Sequence, residues 1–333
     1  MRRRYVNQLT QQESVDEVFR ASEKQLRPNR NGNLYLQVDL ADRTGAIGAR
    51  MWNATEALYL SFENGDYVRV EGTTQLFQGN LQLILARIAK LEPSEVNEDD
   101  FSPLAAVEVD KLMIRLAEIL RTINEPHLRN LAECFLMDEA FLGKFGRAPA
   151  GIKHHHAYCG GLLEHVVNLM EVVLRIAPCY PMIDRDLLLT GAFLHDIGKV
   201  DELCYERELS YSDEGQLIGH LVMAVRMLEE KIAESEKLSG EPMPRETVLR
   251  LRHMIVSHHG EYEYGSPKLP MTIEAVALYC LDNLDAKVFA FHQQIRDDPN
   301  IDSAWTPYNA NMSRKLFKGS ARKHNAQQDP ELT

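Results

Sequence analysis

The sequence predicts a multidomain chain, with a small β-barrel or β-sandwich followed by an all-α domain. Its length of 333 residues fits two domains of roughly 100–200 residues each. Residues 15–91 contain short apolar segments with the period of two that is typical of strands. From about residue 107 onwards, the apolar residues recur with the spacing of amphipathic helices.

The β-rich half divides into strands at its turn residues. Asp42-Arg43-Thr44-Gly45 is a turn between two apolar runs, and Gln78-Gly79-Asn80 is typical of a hairpin. Several short strands at this spacing indicate a barrel or a sandwich. The predicted strands are Leu34–Leu40, Ala46–Trp52, Tyr67–Glu71, Thr73–Phe77 and Leu81–Leu85.

An acidic segment separates the two halves. Residues 91–103 (LEPSEVNEDDFSP) contain two prolines and several acids, which is typical of a linker. Asn124-Glu125-Pro126 predicts a helix start, with an N-cap followed by proline in the first turn. We expect a barrel domain in residues 1–92, a linker in 93–106, a helical domain in 107–318 and a polar tail in 319–333. Helices are predicted at residues 107–123, 162–176, 187–197, 217–231, 245–257 and 273–291.

The composition argues against several classes of protein. No apolar run reaches the roughly 18–20 residues of a membrane span, and the basic start MRRRYVNQLT lacks the apolar stretch of a secretory signal. Five cysteines without a C-x-x-C pair argue against a disulfide framework and fit the reducing cytoplasm. The net charge of -12 argues against a nucleic-acid partner. A local basic patch or a bound cation would remove that objection.

The helical half contains a candidate metal site. His195-Asp196 follows the apolar segment DLLLTGAFL and precedes Ile197-Gly198-Lys199. Neighbouring helical residues point about 100° apart, so both side chains can face one ion only near a helix end. Gly198 predicts such an end. Imidazole and carboxylate together suit a divalent transition metal, or magnesium with fewer nitrogen ligands.

Two further polar residues lie on apolar helical faces. His165 lies between Leu162 and Leu169, at i-3 and i+4, which predicts a buried ring. A lone buried histidine is more often a satisfied core residue, but here other inward polar residues accompany it. One of them is Asp282, because a carboxylate on an apolar face is costly unless it is paired or bound to a metal. Asp285 is the alternative inward acid on the same helix.

Three more histidines extend the set. His220 opens the segment HLVMAV, and His258-His259 closes the segment MIVSHH. Singly, each has an ordinary alternative as a helix cap or a solvated helix end. Jointly, they supply the nitrogen ligands of a second ion. Two ions about 3.5–4 Å apart hold both the attacking and the leaving oxygen of a phosphoryl displacement.

The order His165, His195-Asp196, Asp282 resembles the H…HD…D signature of the HD phosphohydrolase superfamily. The segment HHHAY (154–158), the segment GGLLEH (160–165) and the β-rich domain before them are together similar to the YhaM-type 3′→5′ exoribonucleases. This resemblance spans about residues 15–318.

The resemblance also implies a role for each residue. A first ion would be held by His165, His195, Asp196 and Asp282. Asp196 would bridge to a second ion, which His220, His258 and His259 complete. Lys199, in the string H-D-x-G-K, would contact the scissile phosphate; its alternative is a cation at a helix C-terminus. His154, His155 and His156 would line the substrate entrance or stack on a base, and their alternative is a solvated loop.

The β-rich half resembles an OB-fold of the nucleic-acid-binding kind. The residues that carry this resemblance are GNLYL (32–36), DLADRTG (39–45), ARMW (49–52) and GDYVRVEG (65–72). Such barrels stack bases on aromatic rings and hold phosphates with cations. The candidates are Tyr35, Trp52 and Phe77, with Arg50, Lys24, Arg27 and Arg30 as cations. A place in the core is the alternative for Trp52 and Phe77, and ordinary solvation is the alternative for the lysine and the arginines.

Together these features predict a cytoplasmic, metal-dependent exoribonuclease that hydrolyses single-stranded RNA to nucleoside 5′-monophosphates, and the family resemblance alone implies the 3′→5′ direction. Single-stranded DNA is the alternative polymer. The expected cofactor is a divalent metal, two ions with manganese first and magnesium, cobalt, iron or nickel as alternatives. A homo-oligomer is expected from the family resemblance. The rival functions are a phosphohydrolase of small or cyclic nucleotides and a non-catalytic RNA-binding protein.

Overall fold

The N-terminal half of the chain is a closed β-barrel. The structure is a computed structural model that describes residues 3–77, 80–101, 106–152, 158–205, 209–296, 298, 300 and 303–319. The strands close in the order β1-β2-β3-β5-β4, with β3 and β5 parallel and the other pairs antiparallel. They are β1 (Ser14–Pro28), β2 (Leu34–Asp42), β3 (Gly45–Trp52), β4 (Tyr67–Phe77) and β5 (Asn80–Leu91), with helix α1 (Glu56–Tyr59) between β3 and β4.

Alternating side chains fill the barrel. On β2, Leu36, Val38 and Leu40 are fully buried, whereas the residues between them face outwards. Phe19 from β1 and Val68 from β4 complete this core. The barrel that the resemblance implied is therefore confirmed, and the sandwich alternative is excluded.

Two strands differ from the sequence pattern for local reasons. The predicted strands Tyr67–Glu71 and Thr73–Phe77 are the single strand β4, which contains a bulge at Glu71/Gly72. A Cβ on Gly72 would lie 2.4 Å from the carbonyl oxygen of Ile84, so glycine is required there. Strand β1 has no clear alternation in the sequence, because its pairing with β2 shifts register between residues 22 and 25.

Part of the predicted linker packs on the barrel. The hydroxyl of Tyr5 donates to Asp100 at 2.6 Å, and the backbone N–H of Arg43 donates to the carbonyl of Asp100 at 2.9 Å. The ring of Phe101 lies 4.7 Å from that of Tyr67. Residues up to 101 are thus held by the barrel, and residues 102–105 lie outside the described part of the chain.

The C-terminal half is helical, as predicted. Its core is made by apolar side chains of all the long helices, with the aromatic cluster Phe135, Phe141, Phe145 and Phe193 at one end. No helix in the described residues is both long and apolar enough to cross a membrane. The helices are α2 (Ala106–Leu120), α3 (Pro126–Leu136), α4 (Glu139–Phe145), α5 (Gly161–Ile176), α6 (Arg185–Leu194), α7 (Lys199–Glu202), α8 (Asp213–Ile218), α9 (His220–Ser239), α10 (Arg245–Ser257) and α11 (Ile273–Arg296).

Two helix boundaries differ from the predictions. Helix α6 ends at Leu194, so His195 is its C-cap and Asp196 lies in the turn that follows. The helix predicted at 217–231 is two helices, because Gly219 (φ 81°) breaks the chain between α8 and α9. His220 therefore stands at the N-terminus of a helix.

Gly198 is required for a different reason than the sequence suggests. Its backbone is ordinary right-handed helix (φ −62°), so it is not a left-handed helix cap. A Cβ on Gly198 would lie 2.1 Å from the carbonyl oxygen of His220 and 2.9 Å from the backbone nitrogen of Ala224. The turn after α6 can therefore pack against the first turn of α9 only when residue 198 has no side chain.

We expect Gly198→Ala to destabilise the protein by about 1–3 kcal/mol or more, because neither backbone can move away without shifting a helix. The measurement is the unfolding midpoint in urea. Gly143→Ala is the matched control, since a Cβ on this glycine in helix α4 meets nothing within 4 Å. Its unfolding midpoint should stay the same or rise slightly. An unaltered midpoint for Gly198→Ala would contradict the close packing.

Candidate metal centre

The seven predicted ligands meet at one place. Helix α5 contributes one ligand, the C-terminal ends of α6 and α10 contribute two each, α9 contributes its first residue, and α11 contributes one from its middle. In the described part of the chain, these side chains form the clusters whose atoms could hold metal ions. They are His165, His195, Asp196, His220, His258, His259 and Asp282.

The first cluster contains two imidazoles and two carboxylates. The Nε2 atom of His165 lies 3.3 Å from Asp282 Oδ1 and 3.9 Å from Asp196 Oδ2. The Nε2 atom of His195 lies 3.4 Å from Asp196 Oδ2 and 3.9 Å from Asp282 Oδ1. The two Nε2 atoms are 3.2 Å apart. Lone pairs this close repel unless a proton or a metal cation lies between them.

Asp196 connects this cluster to a second one. Its Oδ2 atom faces the first cluster, whereas its Oδ1 atom lies 3.5 Å from the Nε2 atoms of both His220 and His258. His259 joins these two histidines in one group of potential ligands. The side chain of Asp196 is buried, so its two oxygens are directed by the protein rather than by solvent. Asp196 thus presents one oxygen to each of the two groups of potential ligands.

Each of the five imidazoles is oriented by a hydrogen bond at Nδ1. An oxygen acceptor at that atom holds the proton on Nδ1 and leaves the lone pair of Nε2 for a cation. Backbone carbonyls are the acceptors for His195 (Ala192, 2.8 Å), His258 (Ile255, 2.8 Å) and His259 (Tyr264, 2.9 Å). The first two acceptors lie three residues before the histidine, as expected for a ring at a helix end.

Carboxylates orient the other two rings. Asp285 Oδ2 lies 2.7 Å from His165 Nδ1, so Asp285 faces inwards behind the ligand while Asp282 faces the cluster. Glu202, which the sequence pattern does not single out, accepts hydrogen bonds at 2.9 Å from both the Nδ1 and the backbone N–H of His220. Its only sequence signal is its place one turn after Lys199, and nothing in the sequence indicates that helix α9 begins beside it.

The charges of the site are mutually dependent. Burial alone would raise the pKa of Asp196, but Lys199 and His195 hold it well below its usual range. The ammonium of Lys199 lies 2.6 Å from Asp196 Oδ2. Burial alone would lower the pKa of His165, but Asp282 and Asp285 raise it to about 10. Because a metal binds the deprotonated ring, binding at the first cluster releases this proton.

In the second cluster, burial has the larger effect and lowers the pKa values of two histidines. Burial, together with His258 and His220, lowers the pKa of His259 to about 4. Burial also lowers the pKa of His258. These rings are therefore neutral at neutral pH, which is the state that binds metal.

The residues fit divalent metal ions. Two buried atoms that face the second cluster, Asp196 Oδ1 and His220 Nε2, have no hydrogen-bond partner among the residues that the structure describes. Leaving buried polar atoms unpaired is costly, and a cation between them would remove that cost. Mixed imidazole and carboxylate ligands suit first-row divalent metals.

The predicted nucleic-acid contacts lie on the barrel and in one loop. Tyr35 and Trp52 are paired across β2 and β3, with ring centroids 5.3 Å apart, and Trp52 is 47% exposed. Arg50 lies over the ring of Phe77, at 5.2 Å from its centroid, and Phe77 is 44% exposed. Neither aromatic is therefore a core residue. His154, His155 and His156 lie outside the described residues.

Lys24 does not reach this surface. It is buried, and its ammonium donates to the carbonyls of Tyr59 and Phe62 and to the carboxylate of Glu63. It therefore fixes the loop after α1 and is not available to a phosphate, so its expected role as a phosphate contact is wrong. Arg27 and Arg30 are both on the outside of the barrel, near the β1–β2 turn.

The fold and the site define an HD-domain metal phosphohydrolase with an OB-fold domain in front of it. The HD domain family matches residues 162–287, and the OB-fold nucleic acid binding domain family matches residues 17–91. Hydrolases with HD domains use divalent metals, and the His/Asp cluster is placed to bind them.

Relatives named as exoribonucleases define the class more narrowly. The 3′-5′ exoribonuclease YhaM of Bacillus subtilis is 36% identical over 259 residues, which is 78% of this chain and 80% of the relative. The protein of the same name from Bacillus velezensis is 35% identical over 83% of this chain and 86% of the relative. That from a Geobacillus strain is 35% identical over 78% of both chains. The chain belongs to the YhaM family.

We expect Glu202→Gln to weaken metal binding at the second cluster by about 10–100-fold, because loss of the carboxylate makes His220 a weaker ligand. Asp285→Asn should do the same at the first cluster through His165. Calorimetric titration of the chelator-treated protein with Mn²⁺ measures both affinities. The control is Glu214→Gln, since Glu214 is an exposed partner of Arg226. Equal Mn²⁺ affinities in all three variants would show that these carboxylates do not support the ligands.

Proposed function

We propose that the chain is a divalent-metal-dependent 3′-5′ exoribonuclease that releases nucleoside 5′-monophosphates from single-stranded RNA. The observation that carries the proposal is the two-sided Asp196, whose oxygens face separate histidine clusters. Such a pair of sites suits phosphodiester hydrolysis. The relatives named 3′-5′ exoribonucleases support the polymer and the direction.

The proposal includes two ions and manganese as the first choice. His165, His195, Asp196 and Asp282 would hold one ion, and Asp196 with the three remaining histidines would hold the other. Bound divalent ions polarise phosphoryl oxygens and lower the pKa of water. Magnesium, cobalt, iron and nickel remain alternatives, because the ligand set does not discriminate among them.

The protein contributes orientation and charge. The ligand rings are held by their Nδ1 hydrogen bonds, so the centre does not reorganise when charge develops on the phosphate. Lys199 is mostly buried beside Asp196. We assign its ammonium to the scissile phosphate, where a cation offsets the charge on the phosphoryl oxygens. Asp196 and Lys199 are thus the proposed catalytic residues.

The barrel would hold the strand upstream of the cleaved bond. Its β2–β3 face presents Tyr35 and Trp52 for stacking, and Arg50 lies beside Phe77. The corresponding face of OB-folds binds single strands. In this proposal, residues 1–92 bind the RNA and residues 107–318 hydrolyse it. His154, His155 and His156, which lie outside the described residues, would line the substrate entrance or stack on a base.

The proposal also covers cellular location, self-association and the choice of polymer. Cytoplasmic location is supported by the five cysteines, all of which have free thiols. Self-association comes from the family resemblance. Single-stranded DNA is a second polymer to test beside RNA, because base stacking does not distinguish the sugars.

A 5′-labelled single-stranded RNA incubated with the protein and Mn²⁺ should shorten progressively from its 3′ end, on a denaturing gel. EDTA should stop the reaction, and His195→Ala and Asp196→Ala should each abolish it, because each removes a proposed ligand. Both variants should still retain RNA on a filter. Turnover of free nucleotides with RNA untouched would indicate a small-nucleotide phosphohydrolase instead. RNA binding without any turnover would indicate a non-catalytic binding protein.

We expect Trp52→Ala to weaken binding of single-stranded RNA by about tenfold or more, since one stacked base contributes about 1–3 kcal/mol. Fluorescence anisotropy of labelled RNA in EDTA measures the affinity. Leu60→Ala is the control, because Leu60 is an exposed apolar residue beside α1 in the same barrel. If the two variants bind RNA equally well, the β2–β3 face is not the binding surface.

A further inference from the structure

The residues after α11 carry an exposed aromatic pair. Residues 303–319, here called the C-terminal hairpin, fold back so that Trp305 pairs with Phe317 and Asn309 pairs with Arg314. The rings of Trp305 and Phe317 have centroids 4.9 Å apart. Trp305 is 51% exposed and Phe317 is 60% exposed. Exposed apolar surface that is contiguous, rather than scattered as single residues, is typical of interaction sites.

The other face of the hairpin fixes it to the protein. Thr306 and Leu316 are buried. The backbone N–H of Thr306 donates to the carbonyl of Leu316, and the backbone N–H of Leu316 donates to the hydroxyl of Thr306, both at 2.9 Å. The side chain of Asn309 donates to Gln294 on α11 at 2.7 Å. Lys318 is 2.5 Å from Asp298. The aromatic pair is therefore held in place and is not part of a loose tail.

The hairpin has the opposite charge to the rest of the chain. The whole protein has a net charge of -12, but residues 303–328 contain no Asp or Glu. Arg314 and Lys315 are exposed beside the aromatic pair, while Lys318 is paired. The sequence adds Arg322 and Lys323, which lie outside the described residues. A cationic surface with exposed rings complements a polyanion that carries planar bases.

The hairpin is anchored to the helix that carries a metal ligand. Gln294 follows Asp282 by twelve positions on α11, which is about 18 Å along the helix axis. A stacked single strand advances about 3.4 Å per nucleotide. A strand of about five or six nucleotides would therefore span the length of α11 between Asp282 and Gln294, the residue to which the hairpin is bonded.

From these observations we infer that the C-terminal hairpin is a second binding surface for single-stranded RNA, where a base stacks on the Trp305–Phe317 pair and Arg314 and Lys315 contact phosphates. This inference rests on the proposed function, because it takes the same polymer as ligand. It adds a surface that is separate from the β2–β3 face of the barrel. RNA held at both surfaces would bind more tightly than RNA held at one.

The two tryptophans of the chain allow a direct test. In Trp52→Phe, Trp305 is the sole tryptophan, and the barrel keeps an aromatic ring at position 52. A 12-nucleotide single-stranded RNA, added in EDTA to prevent hydrolysis, should quench the emission of Trp305 with saturation. A two-nucleotide RNA is too short to be held at a second surface as well, so it should quench weakly or not at all at the same concentration.

A second variant tests the affinity. Phe317→Ala in the Trp52→Phe background should weaken binding of the 12-nucleotide RNA on the order of tenfold. Tyr180→Ala is the matched control, because Tyr180 is also 51% exposed. Tyr180 lies in the loop before α6. In the same loop, the backbone N–H of Asp184 donates to the side chain of Glu274, which is at the opposite end of α11 from Gln294. The control should keep the affinity of the background protein.

Three results would overturn the inference. The first is RNA binding that leaves the emission of Trp305 unchanged. The second is equal loss of affinity in Phe317→Ala and Tyr180→Ala. The third is emission that changes with protein concentration alone, with dimers in sedimentation equilibrium, since the pair would then be an interface between copies of the chain. Failure of the proposed function gives a separate signal, because the wild-type protein with Mn²⁺ would then leave labelled RNA intact.

Discussion

The candidate centre depends on one buried carboxylate that faces two groups of histidines. Asp196 directs Oδ2 towards His165 and His195, and Oδ1 towards His220 and His258. Without it, the second cluster would offer a cation three imidazoles and no carboxylate, and the first would keep Asp282 as its only carboxylate. The position of Asp196 after the end of α6, rather than within the helix, allows it to face both.

Close backbone packing supports that arrangement. Gly198 lets the turn after α6 touch the first turn of α9, which places His220 beside Asp196. Glu202 then bonds to both the ring and the backbone of His220, so one side chain sets the helix start and the ligand orientation together. The stability of the contact between α7 and α9 and the metal affinity of the centre are therefore linked. A mutation that separates α7 from α9 would affect both.

Nucleic-acid binding by an acidic chain has a local explanation. The net charge of -12 describes the whole protein, whereas the proposed contacts use small surfaces with exposed rings and one or two cations. Stacking on aromatic rings needs little net charge. The acids of the metal centre would be neutralised by the ions that they hold.

The sequence by itself determined the barrel-then-helices order, because alternation and helical periodicity are local patterns. It also predicted seven candidate ligands, from polar residues on apolar faces and from the family resemblance. It also placed His165 on a buried face and left Asp282 and Asp285 as alternatives. Only the tertiary structure decided that Asp282 faces the cluster and Asp285 supports it, that Lys24 is buried, and that Glu202 holds His220. Each of these depends on contacts between elements far apart in the chain, and no local spacing specifies which helix ends come together.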